Sequence, residues 1–184
     1  MISKVATMVL GLLAEGERHG YDILREMEER GMMRWARVSR VAVYKALSRL
    51  ESEGSLISWT EKEGNLPEKR IYAITSEGQE NLKDMVYTIC ASMEPLRLDT
   101  AVGLSFISRL DKEEAVDALR SRMSFLETQA RRLRRERDIM EGIADGIFMD
   151  TSAYEHAAYR SELRCLRGIV DKIESGSTKA GGNR

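Results

Sequence analysis

Residues Ser39 to Gly54 read SRVAVYKALSRLESEG. Val43, Ala46, Leu47 and Leu50 recur at i, i+3, i+4 and i+7, the spacing of one helix face. Ser39 can accept a bond from a free backbone N–H of the first turn, and Gly54 suits the left-handed residue that stops a helix. The opposite face carries Arg40, Tyr44, Lys45, Ser48 and Arg49. From Arg34 to Arg49 there are five basic residues (Arg34, Arg37, Arg40, Lys45, Arg49) and no acid. A short helix that is apolar beneath and basic-aromatic above fits a DNA major groove. An ordinary amphipathic helix with a solvated polar face has the same pattern.

The segments that follow shift the balance towards DNA. Leu56 to Glu61 (LISWTE) and Lys69 to Thr75 (KRIYAIT) are rich in Ile, Tyr, Trp and Thr and read as strands. Between them KEGNLP supplies the turn formers Gly64, Asn65 and Pro67. So small a hairpin needs helices to pack on. Helix, helix and two-stranded wing, with Lys62, Lys69 and Arg70 near the wing tip, is the plan of a winged helix-turn-helix. The wing cations would meet phosphate oxygens while the helix reads base edges.

Composition narrows the class. The 184-residue chain is 42% hydrophobic and 32% charged but only 6% aromatic, with two prolines, which favours a mainly helical protein over a sandwich. A net charge of −1 excludes a general nucleic-acid coat but leaves room for a local basic patch. Cys90 and Cys165 have no neighbour at metal-ligand spacing, so we expect reduced, buried or incidental thiols and no metal. No run approaches the apolar length of a membrane span, and the apolar stretch Val5 to Ala14 is interrupted by Gly11 and followed by Glu15 and Glu17. A cytoplasmic location with no membrane partner is expected.

Along the chain, Ser3 to Ala14 reads as a buried helix, broken at Glu15-Gly16-Glu17. HGYDILREMEERG reads as a second, with Tyr21, Leu24, Met27 and Ile23 inward and Gly31 as its stop. His19 at its start is either structural or a phosphate donor beside free N–H groups. Trp35, in the connection to the next helix, closes the core or walls a ligand site. A further helix starts at Thr75 or Ser76, with Gln79 placed for a capping box with Ser76, and Leu82, Met85, Val86, Ile89 and Met93 as its stripe up to Pro95.

LGLLAEGERHGYDILREMEERG, VYKALSRLESEGSLIS and PEKRIYAITSEGQENL, in this order, resemble the PadR family of bacterial transcriptional regulators over roughly the first eighty residues. The carrying motifs are His19-Gly20-Tyr21, Tyr44 with Ala46-Leu47, the wing Tyr72, and Thr75 with Gly78. The chain departs at Val41-Ala42-Val43, where the family often has Gly-Thr-Leu, and at Lys45, where it often has Pro. The resemblance implies DNA binding, and assigns the helix after Thr75 to dimer contacts and, in some members, a ligand pocket.

Beyond Pro95 the sequence is helical throughout. Leu98, Val102, Phe106 and Leu110 suggest a short helix, and Asp111 with Glu114 a cap for a long one. Leu119, Met123, Leu126, Ala130 and Leu133 alternate four and three apart, a heptad seam that Arg137 interrupts and Met140 resumes. The run Arg131, Arg132, Arg134, Arg135 and Arg137 is interleaved with Glu127, Glu136, Asp138 and Glu141 and reads as a solvated face. After a turn at Gly142, Gly146 and Asp150, Ser152 and Glu155 suggest another capping box, and Tyr159, Leu163, Leu166, Val170 and Ile173 repeat the seam. Two such seams suggest an antiparallel hairpin that needs a partner, most simply a second copy. This half resembles the helical C-terminal domain of longer PadR proteins.

The expected architecture is therefore a winged helix at 1–78, a helical coiled-coil-like dimerisation and effector domain at 79–175, and a polar tail at 176–184. The expected function is a homodimeric repressor of double-stranded DNA operators. Candidate DNA contacts are Ser39, Arg40, Tyr44, Lys45, Arg49, Lys62, Lys69, Arg70, His19 and Tyr21. Leu82, Met85, Ile89 and Met93 are candidates for a small apolar or aromatic effector, or are plain core. Leu119, Met123, Leu126, Leu133, Leu163, Leu166 and Val170 are candidate dimer contacts. No catalytic constellation or cofactor site is present in the sequence: two histidines, no Cys–His arrangement and no phosphate-cradling glycine loop. A winged-helix protein–protein adaptor is the alternative.

Overall fold

The computed structural model describes residues 3–36, 38–62, 68–95, 98–142 and 146–177. Arg37, the hairpin turn at Gly64, Asn65 and Pro67, and the tail from 178 onward lie outside them. The chain forms two compact units, Met1–Pro95 and Leu96–Arg184. The boundary falls at Pro95 rather than at Gly78 because the helix after Thr75 packs on the first helix of the chain.

In the first unit, α1 (Lys4–Ala14), α2 (Gly20–Glu29), a short α3 (Met32–Ala36) and α4 (Arg40–Ser52) precede the hairpin β2 (Leu56–Glu61) and β3 (Lys69–Ile74), and α5 (Ser76–Cys90) follows it. The two-stranded wing gains a third strand. Arg18 and His19 form β1, pairing antiparallel with Tyr72 and Ile71, so the sheet order is β1-β3-β2. Two residues are too few to show a period in sequence. The core joins Val9, Leu10, Leu12 and Leu13 of α1, Ile23, Leu24 and Met27 of α2, and Val43, Ala46, Leu47 and Leu50 of α4. Leu56 and Tyr72 close it from the sheet. Tyr21 is not in that core. It is 64% exposed, because it lies on the other side of α2 from Ile23 and Met27. Trp35 falls in α3 and is partly exposed. Arg30 clamps the ends of α1 and α2, meeting Glu15 at 2.6 Å and Glu26 at 2.7 Å.

α5 starts on Thr75, not through a Ser76–Gln79 box. The Thr75 hydroxyl accepts from Gly78 N–H at 3.0 Å and donates to Gly54 C=O at 2.7 Å. It ends at Cys90, so Met93 lies past it and is fully solvent-facing.

In the second unit, α6 (Asp99–Ser105) and a 3-10 turn (Ile107–Arg109) lead into α7 (Lys112–Met140) and α8 (Gly146–Glu174). Asp111 and Glu114 form the capping box at the start of α7. α8 starts six residues before Ser152, which is buried within the helix rather than capping it. α7 and α8 pack antiparallel, with the ammonium of Lys112 on the carbonyl of Glu174 and Arg122 on Glu162. Leu119, Leu126, Leu163, Leu166, Val170 and Ile173 are buried between them. The apolar set Leu98, Val102 and Phe106 is exposed instead; Leu104, Ile107 and Leu110 face the core because the helix breaks at Phe106. Both cysteines are free and exposed, which fits incidental rather than buried thiols.

Candidate nucleic-acid interface

The α4 helix is held from beneath and free above. The Ser39 hydroxyl accepts from Ala42 N–H at 3.2 Å, and Gly54, at φ 78°, provides the stop. With Val43, Ala46, Leu47 and Leu50 in the core, the outward row is Arg40, Val41, Tyr44, Lys45, Ser48 and Arg49, all exposed. Val41 is 63% exposed, an apolar side chain in the middle of a cationic face. The periodicity of α4 located the helix but did not single out Val41.

The wing residues are not equivalent. Arg70 reaches back across the sheet to Glu51 of α4, with both carboxylate oxygens at 2.8 Å, and donates to Ser58 Oγ at 2.7 Å. Its guanidinium also covers the Tyr72 ring at 5.5 Å. Arg70 therefore braces the wing against α4. Arg49 is held by Glu53 at 2.7 Å and Arg40 lies 3.7 Å from Glu28. Lys45, Lys62 and Lys69 are exposed and make no ion pair with any described residue. No local spacing signals the Glu51–Arg70 brace, since its partners are 19 positions apart.

The His19-Gly20-Tyr21 element builds the junction between α2, α4 and the wing. A Cβ on Gly20 would lie 3.2 Å from Tyr44 Cε1, tighter than an ordinary contact, and 3.5 Å from the Tyr72 ring, so glycine is what lets the Tyr44 ring approach. These residues, with Asp22, Lys69 and Arg70, line an open cleft of about 320 Å³. His19 Nδ1 is buried there with no partner among the described residues. Burial pushes the Tyr72 hydroxyl up from its ordinary pKa, Glu51 and Tyr44 add to this, and Arg70 opposes it.

The candidate effector residues differ in exposure. Leu82 and Met85 pack on the core of the first unit, while Ile89 and Met93 are exposed. The candidate dimer residues Leu119, Leu126, Leu133, Leu163, Leu166 and Val170 are buried, and Met123 packs beside them, within one chain. This is the antiparallel hairpin that the two seams suggested.

A winged helix with a braced wing and an outward cationic helix defines a class of nucleic-acid-binding modules. Residues 9–84 match the Transcriptional regulator PadR-like family, and the helical region beyond them fits the longer form of that family. The Negative transcriptional regulator PadR of Bacillus subtilis (strain 168) is 30% identical over 115 residues, which span 62% of this chain and 63% of that relative. Two solved structures share the fold. The first is Bacillus subtilis PadR in complex with operator DNA, with TM-score 0.76, 22% identity, and 91% of this chain and 98% of that one covered. The other is the PadR-like transcriptional regulator BC1756 from Bacillus cereus, with TM-score 0.74, 23% identity, and 94% and 99% covered.

Proposed function

We propose that this chain is a homodimeric, sequence-specific DNA-binding repressor, released by a small apolar or aromatic effector. The observation that carries the reading is the exposed face of α4, which presents Arg40, Tyr44, Lys45 and Arg49 with no acid among them. On this reading Lys45 and Arg49 meet base edges, Arg40 and Tyr44 meet bases or nearby phosphates, and Lys62 and Lys69 meet the backbone. Arg70 acts chiefly by holding the wing, and His19 and Tyr21 line the cleft beside it. Support for the repressor role comes from the curated relative, a negative regulator, and support for an effector from Bacillus subtilis PadR, solved in complex with p-coumaric acid. A dimer would set two α4 helices about 34 Å apart, one turn of duplex.

Fluorescence anisotropy with the chain's own upstream DNA, competed by random duplex over a salt series, tests the reading. Specific binding is expected to weaken with a log–log slope of about 0.9 per neutralised phosphate, and Lys69→Ala to lower that slope by about one. Equal competition by random duplex would leave the adaptor reading in place.

A further inference from the structure

The second unit carries an arginine-lined groove that the DNA reading does not use. It lies between the C-terminal half of α7 and the N-terminal half of α8 and has a volume of about 730 Å³. Arg131, Arg134 and Arg137 line it from α7, and Arg160 and His156 from α8. The heptad seam explains the opening. Arg137 stands where an apolar seam residue would otherwise close the two helices together, and its Nε is buried with no hydrogen-bond partner among the described residues. A buried donor left unsatisfied carries its full desolvation penalty, larger for a charged group than for a neutral one, and calls for an acceptor.

The acids nearby do not meet that demand. Glu127 is taken by Arg167 at 2.6 Å and lies 4.0 Å from Arg131. Asp138 and Glu141 line the same groove, but Arg134, Arg137 and Arg160 make no ion pair with them or with any other described residue. His156 reports the resulting field. Burial lowers its pKa first, and Arg137, Arg160 and Arg134 lower it further by repulsion. Ala130, Met149 and Leu163 provide an apolar floor.

We propose that this groove binds a small organic oxyanion, a carboxylate or phosphate on an apolar body, held by Arg134, Arg137 and Arg160. Guanidinium groups suit this ligand because their planar N–H pairs match two oxygens at once. The apolar floor accepts the body, which separates this ligand from a free inorganic ion. The site belongs wholly to the second unit, so it stands whether or not α4 reads DNA.

The test uses the full chain at low salt with benzoate, phenyl phosphate and neutral benzamide as probes. Binding is followed by calorimetry and by the imidazole resonances, of which there are two sets, from His19 and His156. Benzoate or phenyl phosphate is expected to bind and to raise the pKa of His156 while leaving His19 in place; which of the two binds tighter identifies the oxyanion. Benzamide is expected to do neither. Arg137→Gln is expected to weaken the bound anion about tenfold or more, the loss of one charge-assisted contact. Arg160→Gln, an exposed change on the other helix, gives the same direction if Arg137→Gln does not fold. Three outcomes overturn the proposal: no anion moves His156, benzamide binds as well as benzoate, or the arginine variants alter only self-association or DNA affinity. The last would assign the groove to a partner chain's acids or to phosphates.

Discussion

Gly78 occupies the third position of α5, where alanine would ordinarily stabilise a helix by about 1 kcal/mol. Here a Cβ would lie 2.1 Å from the Ser55 carbonyl oxygen, which cannot retreat because it already accepts from Thr75 N–H at 3.1 Å. Overpacking costs about 1–3 kcal/mol or more, so the clash wins. Gly78→Ala is expected to lower the urea midpoint of the first unit; an unchanged or raised midpoint would mean that α5 can shift away from the Ser55 carbonyl. Val41 supplies a second expectation at this scale. An exposed apolar side chain on a groove-reading helix suits a thymine methyl. Replacing the contacted thymine by uracil should then cost about 0.8 kcal/mol, roughly fourfold in affinity. Val41→Ala should erase the difference between the two duplexes. Titrations in which uracil matches thymine at every operator position would refute the contact while leaving specific binding intact.

At the scale of elements, the second unit is cross-linked by one carboxylate. Glu162 of α8 accepts from Arg122 of α7 through both oxygens at 3.0 Å and from Thr100 of α6 at 2.9 Å. Burial pushes its carboxyl up, but the bonds from Arg122 and Thr100 outweigh that and hold it below its ordinary value. A carboxyl depressed in the folded state adds stability that is present above its unfolded pKa and is lost as pH falls through the folded one. Both groups of the pair are partly exposed, so about 1 kcal/mol is the scale of the contribution. Glu162→Gln should lower the melting temperature at neutral pH and bring the variant closer to wild type in acid. Parallel melting curves at every pH would show that Glu162 carries no such linkage. In α4 and the wing the Arg70–Glu51 brace has a comparable cross-linking role, joining strand to helix.

At the scale of the whole molecule, the two units divide the work of burial. The seam residues of α7 and α8 close on each other within one chain. Leu126 is fully buried in that intrachain seam. Leu126→Ala is expected to cost about 2–5 kcal/mol in unfolding of the second unit, at every protein concentration. A penalty that appears only in a concentration-dependent dissociation, measured by sedimentation, would instead place Leu126 between subunits.

The local patterns were enough to determine much of this protein. Helical periodicity at Val43, Ala46, Leu47 and Leu50 defined α4 and its outward cations, because a repeat of 3.6 residues is written in neighbouring positions. Asp111 with Glu114 marked the start of α7 for the same reason. Tertiary structure alone decided what each exposed-looking residue was for. Arg70 became a brace because Glu51, 19 positions away, lay across the sheet, Tyr21 turned outward once Ile23 took the core, and the C-terminal leucines met partners in their own chain. Those outcomes depend on contacts between distant positions, whose energies no local spacing contains.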